Sequence, residues 1–198
     1  MIIWINGAYG VGKSTIASKV MEYFSDSEAV LLEADEYSER NFRQLMDEAK
    51  IKRIFFPQIG GVPQHDMKFI DGFKEIIEEK AQNRSKKIMV DMALVSNECK
   101  DGLFEPLADT YKDILHIILV AAEETIRLRI KNDMQRPDKM TAIESLSQNI
   151  SFLQDNFADA VRIKTDNKCV DEIAEEIYQV IMNWENRTIK SEETTMLT

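Results

Sequence analysis

Cysteine is scarce in this chain of 198 residues: only Cys99 and Cys169 occur, and they form no short-range pattern. Disulfide frameworks and cysteine-based metal sites require several cysteines at characteristic spacings. We therefore expect both thiols to be reduced, as in cytosolic proteins, and expect neither a disulfide nor a cysteine metal site.

Long hydrophobic runs are also absent. The longest, ILHIILVAA at residues 114–122, is about half as long as a membrane-spanning helix requires and is typical of a buried strand. The first residues enter a strand-like run directly, without the basic segment and cleavage site of a signal peptide. These features predict a cytoplasmic protein without an integral membrane segment.

Positive charge is in short supply, because 25 lysines and arginines face 35 aspartates and glutamates, for a net charge of -10. This balance argues against sequence-independent binding to nucleic acid or to an anionic membrane. Any phosphate ligand must be held by a local positive site. A composition of 44% hydrophobic and 30% charged residues is otherwise typical of a globular domain.

Continuous apolar runs alternate with helix-period segments along the chain. Unbroken runs are typical of parallel strands covered on both faces. The strand candidates are IIWI (2–5), AVLLEA (29–34), KIMVDMALV (87–95), ILHIILVA (114–121) and AVRIKT (160–165). Apolar stripes predict amphipathic helices at residues 16–24, 69–77 and 173–184. This alternation predicts an α/β doubly wound sheet in one domain over residues 1–184, followed by a flexible polar tail at 185–198.

The most specific motif is GAYGVGKS at residues 7–14, which fits G-x-x-x-x-G-K-S between a predicted strand and a predicted helix. Its glycines allow successive backbone N–H groups to converge on one anion, and the helix adds the positive end of its dipole. Lys13 supplies a charge for the β- and γ-phosphates, and Ser14 an oxygen for Mg²⁺. The candidate nucleotide-binding residues of this phosphate loop are Gly7, Ala8, Tyr9, Gly10, Val11, Gly12, Lys13, Ser14 and Thr15.

Acids at the ends of two predicted strands complete the candidate site. IMVD, residues 88–91, ends on Asp91, which we predict as the outer carboxylate for Mg²⁺. Because apolar residues continue to Val95, a mid-strand position for Asp91 is an alternative. Asp35 follows the second strand, where a carboxylate can orient an acceptor hydroxyl and take its proton. Glu33 and Glu36 are nearby alternatives for that role.

Several cations follow the fourth strand: Arg127, Arg129, Lys131, Arg136 and Lys139. Guanidinium groups that close over a nucleotide stabilise charge on the transferring phosphoryl group. We predict Arg129 and Arg136 as catalytic. The alternative is a solvated helix face with salt bridges between residues four apart, which Glu123 and Arg127 fit well.

The histidines are weaker candidates. His116 lies within the apolar fourth strand and is predicted to be a hydrogen-bonded core residue. His65 lies in a loop marked by glycine and proline; it can line an acceptor site, although a surface role is the simpler interpretation.

Together these residues resemble the P-loop small-molecule kinases, which include nucleoside monophosphate, shikimate and gluconate kinases, and more closely the ATP-binding tunicamycin-resistance proteins. The resemblance rests on MIIWINGAYGVGK at the start, MALV at 92–95, ETIRLRI at 124–130 and TDNKCVDEIAEEI at 165–177. It implies a five-stranded parallel sheet of order 2-3-1-4-5 and the cofactors ATP and Mg²⁺. It further implies an acceptor-binding insertion at 36–80, a lid at 123–140, and residues 165–168 near the adenine, with Thr165 and Asn167 as candidate binding residues.

The chain departs from that family in two places. Family lids commonly carry arginines four residues apart; Arg129 fits the first position, but the second falls on Asp133. Either Arg136 substitutes for the second arginine or the lid works differently. Residues 50–67 match no known acceptor-binding motif, so the resemblance does not identify the acceptor.

Three functions follow from these patterns. The leading one is an ATP- and Mg²⁺-dependent phosphotransferase that moves the γ-phosphoryl group to a small-molecule acceptor such as a nucleoside, sugar or antibiotic. The second is an ATP-binding resistance protein that captures its ligand without phosphorylating it. A GTPase-type switch is less well supported, because Asp171 follows Asn167-Lys168 one position too late for the guanine motif and no Asp-x-x-Gly occurs.

Overall fold

The strands form one parallel sheet, and the phosphate loop lies at the carboxyl edge of that sheet. The computed structural model describes residues 1–38, 40, 67–83, 85–134 and 139–196, with the backbone alone for 188–196. Its strands are β1 (Ile2–Asn6), β2 (Ala29–Glu33), β3 (Lys87–Asp91), β4 (Ile114–Val120) and β5 (Val161–Lys164). All pairings are parallel, in the order β2-β3-β1-β4-β5. The predicted α/β class and strand order are confirmed.

Helices flank the sheet. Their bounds are α1 (Lys13–Met21), α2 (Met67–Ala81), α3 (Asn97–Cys99), a π-helical segment (Lys100–Phe104), α4 (Glu105–Thr110), α5 (Glu123–Asn132), α6 (Lys139–Glu144), α7 (Leu146–Asn156) and α8 (Val170–Met196). A further helical stretch at 34–38 follows β2. The apolar stripes predicted from the sequence lie on α1, α2 and α8, where they contribute buried residues to the core.

The third strand is shorter than predicted. It ends at Asp91, so residues 92–95 were wrongly included in it. The reason is that the backbone beyond Asp91 bonds to side chains: the Trp4 indole N–H donates to the carbonyl of Met92 over 3.2 Å, and the Leu94 N–H donates to Asn6 Oδ1 over 2.9 Å. Asp91 consequently lies at a strand end, as the metal prediction requires.

The last helix is longer than the apolar stripe that predicted it. Ile173, Ile177 and Ile181 are buried along one face, and Glu172 accepts the Cys169 N–H over 2.7 Å at the helix start. The helix then continues to Met196, so the segment predicted as a tail is helical up to that residue. The division into a domain at 1–184 and a flexible tail remains a prediction.

Burial is deepest at β1, the central strand, whose five residues are all buried. Trp4 is fully buried and its ring meets that of Phe104 edge to face, with centroids 5.3 Å apart. Within the described part of the chain, no helix has both the length and the apolarity needed to cross a membrane.

Candidate nucleotide-binding site

The phosphate loop links the buried strand β1 to the first turn of α1, and its glycines are conformationally required. Gly10 and Gly12 have φ values of 81° and 106°, which residues other than glycine rarely adopt. The side chain of Ile130 occupies the space that a Cβ at Gly10 would take. Gly12 is the N-cap residue of α1, and no described side chain caps that helix. The first amides of α1 therefore face the loop, an arrangement suited to an anion.

Lys13, Ser14 and Asp91 meet beside this loop. The Lys13 ammonium donates to the Ala8 carbonyl over 3.3 Å, and Asp91, on the neighbouring strand, lies near both Lys13 and the Ser14 hydroxyl. Asp91 is 6% exposed. Burial raises the pKa of its carboxyl group, while the charge of Lys13 and the nearby Ser14 hydroxyl oppose that shift. The sequence prediction placed the same three residues together.

This group has the donor chemistry that Mg²⁺ prefers. A serine hydroxyl and a carboxylate are hard oxygen ligands, and Mg²⁺ completes its octahedron with phosphate oxygens and water. Within the described residues, no group of three or more His, Cys, Asp or Glu side chains is placed to hold a metal by itself. The residues therefore fit a metal shared with a nucleotide, with Ser14 and Asp91 as its protein ligands.

Two more carboxylates lie at the same edge. Glu33 ends β2 opposite Asp91 in the strand register, and burial followed by the charge of Asp91 raises the pKa of Glu33. Asp35 is exposed in the helical stretch that follows, close enough for its charge to act on Asp91. Asp35 thus faces solvent at the carboxyl ends of the strands, where acceptors bind in open α/β sheets.

Arg129 is bound to the backbone of the site. Its guanidinium donates to the Val11 carbonyl over 2.8 Å, to Thr165 Oγ1 over 2.9 Å and to the Thr165 carbonyl over 3.0 Å. It thereby joins α5, the phosphate loop and the turn after β5. The other predicted lid arginine, Arg136, lies outside the described residues, as does His65. Arg127 pairs with Glu123, which confirms the salt-bridge interpretation for that residue.

The turn after β5, predicted to lie near the adenine, is held by polar contacts. Thr165 is buried and donates its N–H to the Val120 carbonyl over 2.8 Å. Asp166 accepts from the Ala122 N–H over 3.1 Å and from the Thr125 hydroxyl over 2.8 Å, and these bonds lower its pKa. Asn167 has a φ of 57°. Sequence reasoning placed residues 165–168 in this region and named Thr165 and Asn167 as candidate contacts, but it did not predict the bonds that Asp166 makes to Ala122 and Thr125.

Sequence reasoning also missed Asn6, the residue that precedes the loop. Its side chain Oδ1 accepts the Gly7 N–H over 2.7 Å and the Leu94 N–H over 2.9 Å, and its Nδ2 lies 3.0 Å from His116 Nε2. Asn6 is fully buried. The signal was a hydrophilic residue at the end of an otherwise apolar strand. His116 is hydrogen-bonded, as predicted, but it is only partly buried and lines a cavity, so it is not a core residue.

A separate cavity of about 340 Å³ lies at the amino ends of β4 and β5. Aromatic side chains line it, including Phe104, His116, Phe157 and Trp184. It contains none of the predicted site residues, and the phosphate loop lies at the opposite, carboxyl end of the strands. The cavity is therefore distinct from the candidate nucleotide site.

A glycine-bounded loop between a central parallel strand and a helix, with Lys13 and Ser14 at the helix start and an acid on the adjacent strand, defines a P-loop NTPase fold. The match to protein families agrees: residues 2–150 match the family described as "AAA domain". Because the match spans more than half of the chain, the protein belongs to this family.

Solved structures share the fold at low sequence identity. The tunicamycin resistance protein of Deinococcus radiodurans superposes with a TM-score of 0.68 at 20% identity, covering 91% of this chain and 94% of that one. A gluconokinase from Sinorhizobium meliloti 1021 gives 0.60 at 14%, covering 96% of each chain. Shikimate kinase from Bacteroides thetaiotaomicron gives 0.58 at 13%, covering 92% and 98%. No curated protein matches the sequence. The fold resemblance stated from the sequence is confirmed.

Arg129→Lys should lower the free energy of unfolding by about 1–3 kcal/mol, because an ammonium cannot make the forked contacts with Val11 and Thr165. Urea denaturation measures this loss. Arg127→Lys is the matched control on the same helix: its half-exposed pair with Glu123 is screened by solvent and should contribute little to stability. Equal losses in both variants would contradict the bridging role of Arg129.

His116 should make the protein less stable in mild acid. Burial, and secondarily the charge of Arg162, lower the pKa of its imidazole to about 3. The unfolded chain binds this proton near pH 6.5, so between those values acid favours unfolding, by about 1.4 kcal/mol per pH unit. Unfolding free energies of the protein and of His116→Gln, measured between pH 7.5 and 5, should diverge by about 2 kcal/mol. Parallel curves would show that His116 titrates normally.

Proposed function

We propose that the protein is an ATP- and Mg²⁺-dependent phosphotransferase that moves the γ-phosphoryl group to a small-molecule acceptor. The observation that supports this most strongly is the convergence of the phosphate loop, the Lys13 ammonium at the start of α1, and the buried Asp91 at the end of the adjacent strand, near Ser14. A hydroxyl and a carboxylate oriented together next to a fixed cation suit a metal–polyphosphate complex. A nucleotide-independent protein would have little reason to bury Asp91 in this position, since burial disfavours its charged form.

Each site residue then has a physical role. The loop amides and Lys13 hold the β- and γ-phosphate oxygens, and Ser14 with Asp91 would hold Mg²⁺, which neutralises phosphate charge when bound. Asp35 orients the acceptor hydroxyl and accepts its proton, a role for which its exposed position at the strand ends is suitable.

The two arginines are proposed to have different roles. Arg129 fixes the Val11 carbonyl and therefore the loop conformation. Its bonds to Val11 and Thr165 use three of the five guanidinium N–H donors, so a contact with phosphate would not require their release. Arg136 is the proposed partner for the transferring phosphoryl group. Thr165 and Asn167 are the proposed adenine contacts, in a turn that Arg129 joins to the loop.

A second function uses the same nucleotide site: capture of a ligand without its phosphorylation. The fold likeness to a tunicamycin resistance protein favours this alternative. Both functions require Mg-ATP, so nucleotide binding does not separate them, whereas the mass of the ligand after incubation does.

Lys13→Ala should abolish stabilisation by Mg-ATP while the variant remains folded. In the unchanged protein, nucleotide at a hundredfold excess over its dissociation constant should add about 2.7 kcal/mol to stability. Thermal unfolding with and without Mg-ATP measures the effect. Lys19→Ala is the control, because Lys19 lies on the same helix and pairs with Glu22 and Asp171 instead. An Mg-ATP shift that survives in Lys13→Ala would refute the phosphate-loop assignment.

Asp35→Asn should retain nucleotide binding and lose transfer to the acceptor by at least about a hundredfold, since general base catalysis contributes 10²–10⁴-fold. Nucleosides, sugars, aminoglycosides and nucleoside antibiotics are screened for ADP release with the unchanged protein, and products are weighed by mass spectrometry. Glu36→Gln is the matched control. Added phosphoryl mass supports transfer, and tight binding without it supports capture. Full turnover by Asp35→Asn would remove Asp35 from the mechanism.

A further inference from the structure

Asn6 is an unusual residue for the centre of a parallel sheet. It is the one hydrophilic residue in β1 and is fully buried. Burying an amide side chain is costly unless its polar atoms are paired. Here they are paired with three separate parts of the chain: the phosphate loop through Gly7, the segment after β3 through Leu94, and β4 through His116.

The pairing fixes which way the amide points. Oδ1 accepts two backbone N–H groups, so a flipped amide would place its own NH₂ against those donors. The Nδ2–H therefore points to His116 Nε2 and donates to it. That nitrogen must be the unprotonated one, and the ring proton of neutral His116 resides on Nδ1.

Rings on both sides hold the imidazole in place. Its centroid lies 4.6 Å from that of Phe104 and 4.8 Å from that of Phe157. Neither ring offers an alternative hydrogen-bond partner to Nε2. The ring contacts therefore hold Nε2 of His116 in one position as a hydrogen-bond acceptor. Opposite His116 in the strand register lies Trp4, which is fully buried.

We infer that Asn6 is a positioning residue of the phosphate loop and that His116 sets the orientation in which it acts. Asn6 accepts the N–H of Gly7, the first residue of the loop, so that this N–H points into the protein. The anion is then bound by the amides of the loop residues that follow. The same oxygen anchors Leu94, which follows the strand that carries Asp91. One side chain therefore sets the loop and the metal-side carboxylate relative to each other. This inference rests on the proposed nucleotide-binding function.

The test compares two His116 variants with a packing control. His116→Gln retains an acceptor oxygen near the place of Nε2, whereas His116→Leu does not. We expect His116→Gln to keep the Kd for Mg-ATP within about twofold, and His116→Leu to raise it on the order of tenfold, as for the loss of one buried hydrogen bond. Phe157→Leu should lower the Tm and leave that Kd unchanged. Equal Kd values for His116→Leu and His116→Gln would overturn the inference.

A second measurement, made without nucleotide, determines which ring nitrogen of His116 carries the proton. In ¹⁵N spectra of the unchanged protein near neutral pH, His116 Nε2 should be unprotonated; a proton on that nitrogen would overturn the inference. In Asn6→Asp, a carboxylate oxygen faces Nε2, so the pKa of His116 should rise and Nε2 should become protonated.

Hydrogen exchange separates failure of this inference from failure of the proposed function. The amides of Gly7 and Leu94 should exchange faster in His116→Leu and at the original rate in Phe157→Leu. Unchanged exchange at both amides in His116→Leu would count against Asn6 as the positioning residue. If the unchanged protein does not bind Mg-ATP, the proposed function fails, while the ¹⁵N and exchange results still decide how the loop is held.

Discussion

The way in which the chain leaves β1 controls the rest of the site. That strand is central and buried along its whole length, so the chain can turn only at the carboxyl edge of the sheet. Helix α1 begins at Lys13, only a short loop later. A loop confined in this way directs main-chain amides at one point, because there is no room for an extended connection. Lys13 and Ser14 take their positions from that confinement.

The positive charge at the carboxyl edge of the sheet is local and is opposite in sign to the net charge of the chain. A protein with a net charge of -10 repels polyphosphates at long range. At the loop, the Lys13 ammonium and the amino end of α1 create a small positive region beside Asp91 and Glu33. Burial raises the pKa of both acids, so a divalent cation bound there would favour their ionised forms. This balance is consistent with the proposal that the nucleotide binds together with a metal ion.

Much of the fold could be predicted from the sequence because its signals are local. The unbroken apolar runs located all five strands, and the helix stripes located α1, α2 and α8. The end of β3 was not predictable in this way, since residues 92–95 are as apolar as the strand. Tertiary bonds from Trp4 and Asn6 end it, and these come from distant parts of the sequence. For the same reason apolar periodicity did not reveal that α8 continues to Met196.

In the candidate site, too, the features with local sequence signals were predicted and those that depend on distant contacts were not. The loop motif, Ser14 and Asp91 followed from spacing and from strand ends. The contacts of Arg129 did not, because a cation on a helix surface has the same sequence signature whether it bonds to solvent or to the Thr165 carbonyl. Asn6 was overlooked because two of its hydrogen-bond partners, Leu94 and His116, are distant in sequence. Side chains that act through long-range backbone contacts are the ones that composition and periodicity fail to identify.

The contacts of Arg129 also limit how this edge of the molecule can rearrange. They attach the later turns of α5 to both the loop and β5, while Asp166 attaches the start of that helix at Ala122 and Thr125. Because both ends of α5 are bonded to neighbouring parts of the domain, we expect this helix to keep its position relative to the sheet. Any rearrangement that preserves these bonds leaves the helix in place up to Arg129.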